Sequence, residues 1–540
     1  MSGLSKRRIA ADGEIEKKLA QGQRLQARAR YADAEARYRK VLAADPAHVG
    51  ALTGLSQCLI AQERAPETIA LLDRAAEAAV NETGYLFDLA TACALVGYRH
   101  QARAVYRRAL ELSPDHTSVL INLANVENDL GETQVAVDLL SRAIEINPNA
   151  ARAYTNLGKI LTGTDLLDDA LACYRRAIEI DPNISQAWTN LAALYEILGR
   201  FEDALDALQK SLAIDPECDA ARWNLARTLL TLGETEAGWD MYGFGFACRE
   251  RQPHRPFPGL IWEDEDLSDK TIMVWREQGL GDDLIFSTCY SDLIARAGHV
   301  IIETDARLVP LYQRTWPEAT VRAETMASTG LGNYPDVDFD LTAPAGLVAG
   351  RLRRRIADFP DEIRGLQADP ARVAECREWL ATLGPGPKIG LSWTSGKIND
   401  LRSAYYTALA DWKPLFEAEN VSIVNLQYTN VDEEAEALAR EFGFTLHRMP
   451  GLDLFKDIEG AAALTACMDT VVGPPSFPVV LAAALGRPCF HYGPKRIWTK
   501  LGTNRLPWFP AMRCYPIDRS TDRPALAARM TADVKAFLGK

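Results

Sequence analysis

Small, apolar and polar residues follow a pattern that repeats every 34 positions over the first 240 residues. In each repeat a proline ends the second of two helical segments, and small residues recur where the two segments would meet. The phased prolines are Pro46, Pro114, Pro148, Pro182 and Pro216, and the phased small residues are Ala34, Gly97, Ala102, Gly131, Ala136, Ala170, Gly199 and Ala204. Small side chains let antiparallel helices approach closely, so the sequence predicts a stack of helical hairpins.

This period is that of the tetratricopeptide repeat, and the chain resembles that family from its start to about residue 240. We place repeats at 15–48, 49–82, 83–116, 117–150, 151–184 and 185–218, with a shortened seventh from 219. The second repeat is degenerate, because Val80 replaces the proline and Thr68 replaces the alanine. Such an arm predicts that the chain binds another protein.

A row of asparagines runs through the same repeats. Asn122, Asn156, Asn190 and Asn224 are 34 positions apart, and we expect each two residues into the first helix of its repeat. That helix lines the concave face of such a superhelix, where amides can bind the backbone of an extended polypeptide regardless of its sequence. Alternatively, the amides satisfy polar groups between repeats. The row resembles the asparagine ladder of the eukaryotic O-linked N-acetylglucosamine transferases.

A different pattern begins at Lys270, where short apolar runs alternate with amphipathic segments. The stretch before it, 241–269, is rich in aromatic residues, proline and charge, which indicates a junction. The predicted strands are TIMVW and HVIIETD, then KIGLSW, VSIVNLQY, TLHRM, DTVVG and PCFHY. This alternation predicts two Rossmann-like lobes of parallel sheet at 270–350 and 388–540, joined by a charged connection at 351–387. The expected fold class is a helical-repeat superhelix followed by α/β lobes.

Composition narrows the functional classes. The chain has 540 residues and a formal net charge of -13, which argues against a protein that binds nucleic-acid phosphates. Its ten cysteines are scattered singly and its seven histidines show no metal-ligand spacing, so we expect reduced thiols and no metal. The first residues include no apolar segment after their basic residues, which predicts a cytoplasmic protein.

Several phrases in the second half carry a resemblance: WREQGLGDDLIF, KIGLSWTSGKINDLRSA, NLQY, MDTVVGPPSFPVVLAAALGRP and PWFPAMR. Over residues 271 to about 515 the chain resembles bacterial proteins that join tetratricopeptide repeats to a catalytic domain related to lipopolysaccharide heptosyltransferases. Such proteins include flagellin glycosyltransferases, which recognise flagellin through the repeats. The resemblance implies a GT-B fold, a nucleotide-sugar donor and no cofactor, with a nonulosonic acid such as pseudaminic acid, carried on cytidine monophosphate, as one donor.

The first lobe carries the candidate general base. Gly279, Gly281 and Asp282 follow the strand TIMVW, and we expect the glycines to permit a tight turn that places the carboxylate at the cleft. The resemblance implies that Asp282 deprotonates the acceptor hydroxyl. An N-capping role is the alternative, and the neighbouring carboxylates of Glu277 and Asp283 complicate the assignment.

The second lobe carries the candidate donor site, in two loops. Ser392, Thr394, Ser395, Gly396 and Lys397 follow the strand KIGLSW, with Arg402 nearby as a second cation for phosphate. Both cations could instead be solvated loop residues. Ser476 begins the helix after DTVVG, whose amide end favours an anion, although Pro474 and Pro475 depart from the family pattern. We expect Gln427 and Asp469 at strand ends facing the same cleft, as nucleoside contacts or as structural residues.

Two weaker signals complete the set. The acidic string from Asp336 to Asp340 imitates a manganese-binding motif, but a structural loop is the favoured interpretation. His491 follows a predicted strand and is the one histidine placed near the loops.

The sequence thus predicts a transferase acting on serine or threonine of a polypeptide. The alternatives are an enzyme that glycosylates lipopolysaccharide or another polysaccharide, and a repeat scaffold whose transferase-like domain has lost its activity.

Overall fold

The computed structural model describes residues 3–62, 64–68, 70, 71, 74, 83–252, 255, 260–324, 338–395 and 405–539, with the side chains of 3–13, 65, 66 and 85 excepted. The chain forms two compact units, Met1–Asn190 and Leu191–Lys540.

The first unit consists of helical hairpins, as the repeat pattern predicts. In this unit Gly97 and Gly131 end the first helix of their hairpins with φ of 85° and 88°, a conformation that favours glycine. Its helices are α1 (Gly3–Gln26), α2 (Tyr31–Ala44), α3 (Val49–Ala61), α4 (Thr83–Leu95), α5 (Arg99–Leu112), α6 (Thr117–Asp129), α7 (Thr133–Ile146), α8 (Ala151–Gly163), α9 (Leu167–Ile180) and α10 (Ser185–Ile197), which runs into the second unit, with a 3-10 helix at Ala65–Thr68.

Close packing within the hairpins uses the predicted small residues. The phased alanines, among them Ala102 and Ala136, are completely buried. Aromatic rings then lie directly over glycines: a Cβ added to Gly54 would be 2.5 Å from the Tyr38 ring, and one added to Gly158 would be 2.8 Å from a ring carbon of Tyr174. A larger side chain at either glycine would force the two helices apart.

The second unit begins with the last repeat helices and continues into the junction. Its helices here are α11 (Phe201–Ile214), α12 (Asp219–Leu232), α13 (Thr235–Met241) and α14 (Phe244–Ala247). Gly233 ends α12 with φ of 93°. Gly238 then lets α13 fold back on α12, because a Cβ there would be 2.7 Å from Leu230.

The first sheet of this unit is parallel, with strand order β3-β2-β1-β4. Its interior strand β1 is apolar and buried from Ile272 onward, which is typical of a parallel sheet covered by helices. The strands are β1 (Thr271–Trp275), β2 (His299–Thr304), β3 (Thr320–Ala323) and β4 (Leu341–Pro344), and the helices are α15 (Leu280–Ser287), α16 (Tyr290–Ile294), α17 (Val309–Thr315) and α18 (Ala345–Leu352).

The second sheet is also parallel, with strand order β6-β5-β7-β8-β9. Its strands are β5 (Lys388–Leu391), β6 (Ser422–Asn425), β7 (Thr470–Gly473), β8 (Cys489–Pro494) and β9 (Arg513–Ile517). The accompanying helices are α19 (Pro370–Ala381), α20 (Lys413–Phe416), α21 (Asp432–Phe442), α22 (Ile458–Ala466), α23 (Phe477–Ala484) and α24 (Arg523–Phe537), with 3-10 helices at Ile356–Asp358, Leu409–Trp412 and Trp498–Lys500.

These elements confirm the predicted class, helical repeats followed by α/β structure. The predicted strand TLHRM is wrong, since it is reduced to one bridge between His447 and Val424. The chain there runs past the edge strand β6 without extending the sheet. Among the described helices, none has both the length and the apolar composition needed to cross a membrane.

Candidate functional site

In each sheet the strand order has a switch point, where later strands are added on the opposite side of the first strand. From β1 the chain moves to β2 and β3 on one side, then returns to β4 on the other side. The second sheet repeats this arrangement, with β6 on one side of β5 and β7 on the other. Ligands of open parallel sheets bind beyond the carboxyl ends of the strands at such points. The turn after β1 and the loops after β5 and β7, which carry most of the predicted site residues, therefore lie at the favoured positions.

Asp282 lies in the first turn of α15, beyond the end of β1. Its Oδ2 accepts a hydrogen bond from the Gly279 amide at 3.2 Å, and the side chain is half-buried. This is the capping-box contact, in which the third residue of a helix accepts from the backbone amide of the N-cap residue. Asp282 therefore has the capping role in this structure. A half-exposed carboxylate remains accessible to a hydroxyl group, and the two roles are compatible.

The backbone of this turn differs from the expected one. The left-handed residue is Gln278, with φ of 61°, while Gly279 has φ of -91° and Gly281 lies inside the helix. The expectation that the glycines provide the tight turn is therefore wrong. Gln278 is held by its own contacts, because its amide donates to the Gln252 carbonyl at 2.6 Å and its Nε2 donates to the Tyr242 hydroxyl at 3.0 Å.

The two neighbouring carboxylates are fully buried and have structural partners. Asp283 accepts hydrogen bonds from Thr304 Oγ1 at 2.5 Å and from the Tyr290 hydroxyl at 3.3 Å, and burial raises its pKa to about 7. Glu277 pairs with Arg251 and accepts from the Gly346 amide at 2.5 Å. Burial raises the pKa of Glu277 as well. Of the three acids, only Asp282 is accessible to solvent.

In the second sheet, Gln427 organises the loop after β5. Its Oε1 accepts from Ser392 Oγ at 3.0 Å and from the Thr394 amide at 3.2 Å, and its Nε2 donates to Thr429 Oγ1 at 3.0 Å. The side chain is 2% exposed. Its amide is engaged within the protein, which favours the structural interpretation over direct contact with a nucleoside.

Ser476 meets this loop from the next strand. Its Oγ lies 3.3 Å from Ser392 Oγ, and it occupies the N-cap position of α23 without donating to or accepting from that helix through its side chain. The structure thus brings together Ser392, Thr394, Gln427 and Ser476 at the ends of β5, β6 and β7. Ser395 lies at the margin, where its hydroxyl is 3.2 Å from that of Tyr428.

The remaining predicted residues lie elsewhere. Gly396, Lys397 and Arg402 lie outside the described residues. Asp469 lies at the amino ends of the strands, opposite the other candidate residues, and its Oδ2 accepts from the Lys388 amide at 2.7 Å. Its predicted place at the cleft is therefore wrong. In the acidic string, Asp338 pairs with Arg322 at 2.6 Å and Asp340 accepts from the Thr271 amide at 2.8 Å.

A residue that the sequence did not single out lies at the carboxyl end of β8. Lys500, in the 3-10 helix after β8, is 3% exposed and donates from Nζ to the Pro494 carbonyl at 2.8 Å. Nothing in its sequence context distinguishes it from a solvated loop lysine. Burial and then the charge of Lys500 lower the pKa of His491, on the preceding strand β8, to about 4.

A cavity of about 620 Å³ opens at the carboxyl end of β6. Its lining mixes hydrogen-bonding groups, both signs of charge and apolar surface, and includes Asn425, Gln427, Tyr428, Thr429, Arg448, Met449, Gly451, Leu452 and Asp453. The Tyr428 ring stacks against that of Phe455, at 6.1 Å between centroids. The volume falls within the range of small-molecule sites. Through Gln427 the cavity adjoins the loop after β5.

The asparagine row is placed on the repeat helices. Each of the four is the sixth residue of its helix, in α6, α8, α10 and α12, and each is half-buried. The expected position two residues into the helix is wrong, because each helix begins immediately after the turn that follows the proline. Asn122 interacts with Tyr106, and Asn190 accepts from Gln186 at 2.8 Å. Within the described part of the chain, the Asn156 and Asn224 side chains form no hydrogen bond.

Comparison with known proteins identifies the repeats. Models of the tetratricopeptide repeat match residues 25–93, 83–116, 115–183 and 185–218. These residues therefore carry tetratricopeptide repeats, as predicted.

Protein FlbA of Caulobacter vibrioides is 36% identical to this chain over 289 residues, which is 52% of this chain and 48% of that protein. The chain thus spans about half the length of the relative it matches. Among solved structures, a tetratricopeptide repeat protein from Parabacteroides merdae aligns with 43% of this chain and 92% of its own, at 16% identity and a TM-score of 0.38. Pseudomonas aeruginosa pilF aligns with 39% of this chain and 97% of its own, at 14% identity and a TM-score of 0.34.

Proposed function

We propose that this chain is a metal-independent glycosyltransferase of the two-lobed GT-B type. It transfers a sugar from a nucleotide-sugar donor to a serine or threonine hydroxyl of a polypeptide that the repeats hold. Following the resemblance in the second half of the chain, the acceptor is flagellin and the sugar is a nonulosonic acid such as pseudaminic acid. The observation that carries the proposal is the pair of parallel sheets. In each sheet the candidate site residues lie at the carboxyl ends of the strands, at the point where the strand order switches sides.

The first sheet supplies the base. The acceptor oxygen attacks the anomeric carbon of the donor while the hydroxyl proton passes to an Asp282 carboxylate oxygen. The bond between the anomeric carbon and the phosphate oxygen breaks, and the nucleotide leaves with the electron pair. Asp282 suits this role because Glu277 and Asp283 are buried and already paired, whereas its own carboxylate is half-exposed.

The second sheet supplies the donor site. The amide end of α23, at Ser476, favours the negative charge that develops on the leaving phosphate. The cavity of about 620 Å³ accommodates the nucleoside, and Tyr428 offers an aromatic face for the base. Gln427 positions the loop that separates the nucleoside from the phosphate, through its contacts with Ser392, Thr394 and Thr429.

The repeats supply acceptor recognition. The Asn156 and Asn224 amides are half-exposed and form no hydrogen bond with other described residues, so each can donate to and accept from a peptide backbone. Asn122 and Asn190 already have side-chain partners within the arm and contribute less.

A deletion strain tests this function. Flagellin and other abundant polypeptides from a strain lacking this chain are compared by intact mass with those from the parent strain and from a strain complemented with the full chain. We expect a polypeptide that loses one or more sugar masses on deletion and regains them on complementation. Unchanged polypeptide masses together with a truncated lipopolysaccharide would instead support the polysaccharide acceptor.

A further inference from the structure

The turn that carries Asp282 contains a residue in an unfavourable backbone conformation. Gln278 has φ of 61°, in the left-handed region that residues with a side chain rarely adopt. Glycine adopts this conformation without steric cost, whereas a glutamine there requires support from its surroundings. Gln278 directly precedes Gly279, whose amide donates to Asp282 Oδ2 at 3.2 Å. The conformation of Gln278 therefore sets the path by which the chain enters α15, and with it the position of the candidate base.

Gln278 is held by hydrogen bonds to its backbone and to its side chain. Its amide donates to the Gln252 carbonyl at 2.6 Å, and its carbonyl accepts from Arg276 Nη1 at 3.0 Å. These two contacts are open to other residue types at this position. The contact with Tyr242 requires the side chain, because Gln278 Nε2 donates to the Tyr242 hydroxyl at 3.0 Å. Tyr242 thus recognises the glutamine itself.

Close packing fixes the Tyr242 ring, which follows α13. The side chain is 2% exposed, and its ring centroid lies 5.2 Å from that of Trp223 and 5.0 Å from that of Trp239. The guanidinium carbon of Arg251 lies 4.0 Å from the same centroid. On the side of α18 the fit is as close, because a Cβ added to Gly346 would be 2.6 Å from a ring carbon of Tyr242. A ring packed in this way offers its hydroxyl as an acceptor in a fixed position.

The hydroxyl of Tyr242 is also near the candidate base. Burial and then the charge of Glu277 raise the pKa of Tyr242, while the charge of Arg251 acts in the opposite direction. The Asp282 carboxylate is a further charge that raises this pKa, so it lies within electrostatic range of the hydroxyl. The hydroxyl therefore stays protonated at neutral pH, near both the strained glutamine and the carboxylate that the turn carries.

We infer that Tyr242 is a positioning residue for the base: its hydroxyl binds the Gln278 side chain, which keeps the turn left-handed and Asp282 at the carboxyl end of β1. The inference rests on the proposed function, because a base is required only if the chain transfers a sugar. It also gives the shortened seventh repeat a second role. Trp223, which packs on Tyr242, adjoins Asn224 on α12, so the helix that carries the last asparagine of the row also supports the catalytic turn.

Variants of the full chain test this role with two measurements. Hydrogen exchange followed by mass spectrometry over residues 276–284 reports on the turn, and the rate of sugar transfer at saturating acceptor reports on the base. Tyr242→Phe removes the hydroxyl and keeps the ring. We expect exchange in the turn to rise on the order of tenfold and transfer to slow by a similar factor, with acceptor affinity unchanged. The matched control is Tyr515→Phe, which removes a hydroxyl that donates to Asp533 at 2.6 Å on the edge strand β9 and should change none of these.

Two substitutions of Gln278 separate support of the turn from general destabilisation. Gln278→Ala removes the contact with Tyr242 and keeps the unfavourable conformation, so it should raise exchange and slow transfer as Tyr242→Phe does. Gln278→Gly removes the same contact, but glycine adopts φ of 61° freely. It should therefore recover most of the transfer rate that Gln278→Ala loses. This comparison also decides the matter if Tyr242→Phe does not fold.

Wild-type exchange in a folded Tyr242→Phe protein would overturn the inference, and so would equal transfer rates for Gln278→Ala and Gln278→Gly. Faster exchange in the turn with transfer at the wild-type rate would overturn it as well, because the base would then not depend on the turn. If the wild-type chain transfers no sugar, the proposed function fails, while the exchange measurements still decide whether Tyr242 holds the turn.

Discussion

Two adjacent carboxylates, Asp282 and Asp283, have different environments because a helix turns consecutive residues about 100° apart. Asp283 faces the sheet, where Thr304 and Tyr290 donate to it, and it is completely buried. Asp282 faces the carboxyl edge of the sheet and remains half-exposed. Both residues are aspartates, so the helical geometry, and not the residue type, makes Asp282 the accessible carboxylate.

The buried carboxyl gives a prediction about pH. The pKa of Asp283 is about 7 in the folded protein against an ordinary value of 3.8. Folding therefore takes up a proton between these values, and the contribution of Asp283 to stability is present below about pH 4 and is lost as the pH rises to about 7. Relative to Asp283→Asn, the wild-type free energy of unfolding should fall by about 1.4 kcal/mol per pH unit in that window. Urea denaturation at several pH values measures it, and parallel profiles for the two proteins would contradict it.

At the residue scale, the sequence could place Asp282, Ser392 and Ser476, because each lies in the segment that follows a buried apolar strand. It could not distinguish Gln427 as an organiser of its loop, since that role depends on contacts with residues more than 30 positions away. Lys500 was missed for a different reason. Burial of a lysine is a property of the tertiary packing and leaves no local pattern.

Among the elements, the junction after the last repeat has the clearest consequence for the site. Arg251, within this junction, is 1% exposed, and its guanidinium carbon lies 4.0 Å from the ring centroids of both Tyr242 and Phe246. It pairs with Glu277, the second residue after β1, while Tyr242 also accepts from Gln278. The junction therefore holds the turn that leads to Asp282.

Removing one member of this buried pair should strongly destabilise the second unit. Arg251→Met leaves the Glu277 carboxylate without its partner, and we expect a loss of about 3–5 kcal/mol in the free energy of unfolding. The matched control is Arg354→Met, which breaks an exposed pair with Asp240 and should cost less than about 1 kcal/mol. Guanidinium denaturation followed by tryptophan fluorescence measures both. Equal effects of the two substitutions would show that the buried pair has no special structural role.

Strand prediction was correct for β1, β2, β5, β6, β7 and β8, each of which is an apolar run bounded by turns. The strands β3, β4 and β9 were not predicted, because each is short and contains arginine or proline, a composition that is compatible with a loop. The segment TLHRM has the composition of a strand but lies beyond the edge strand β6, where one bridge at His447 is the only described pairing. Tertiary position decided these cases.

At the scale of the whole molecule, the repeats and the α/β lobes have separate roles in the proposed function. In that proposal the repeats bind the acceptor through amides that contact its backbone, and the lobes carry out the transfer. Substitutions in the arm should therefore change acceptor affinity and leave donor binding unchanged.

Asn156 and Asn224 allow this separation to be tested. Changing both to alanine removes two amides that have no hydrogen-bond partner in the described part of the protein. Each amide that binds the acceptor backbone contributes about 1 kcal/mol, so we expect the affinity for unglycosylated flagellin to fall on the order of tenfold. Thermal stability should be unchanged or slightly raised, because alanine is the better helix former. Asn183→Ala, in an exposed turn between repeats, is the control. Unchanged affinity in the double variant would favour the alternative, that the row is a feature of the repeat alone.

The central claim, that Asp282 deprotonates an acceptor hydroxyl at the end of β1, is tested most directly by the rate of sugar transfer in Asp282→Asn. Purified full chain, acceptor polypeptide from the deletion strain and a nucleotide-sugar extract are mixed, and the intact mass of the acceptor is followed with time. We predict that the wild-type chain adds whole sugar masses, that Asp282→Asn does so roughly 100- to 10,000-fold more slowly, and that both bind the acceptor equally. Transfer by Asp282→Asn at the wild-type rate would contradict the assignment of the base, and no mass gain with the wild-type chain would contradict the transferase itself.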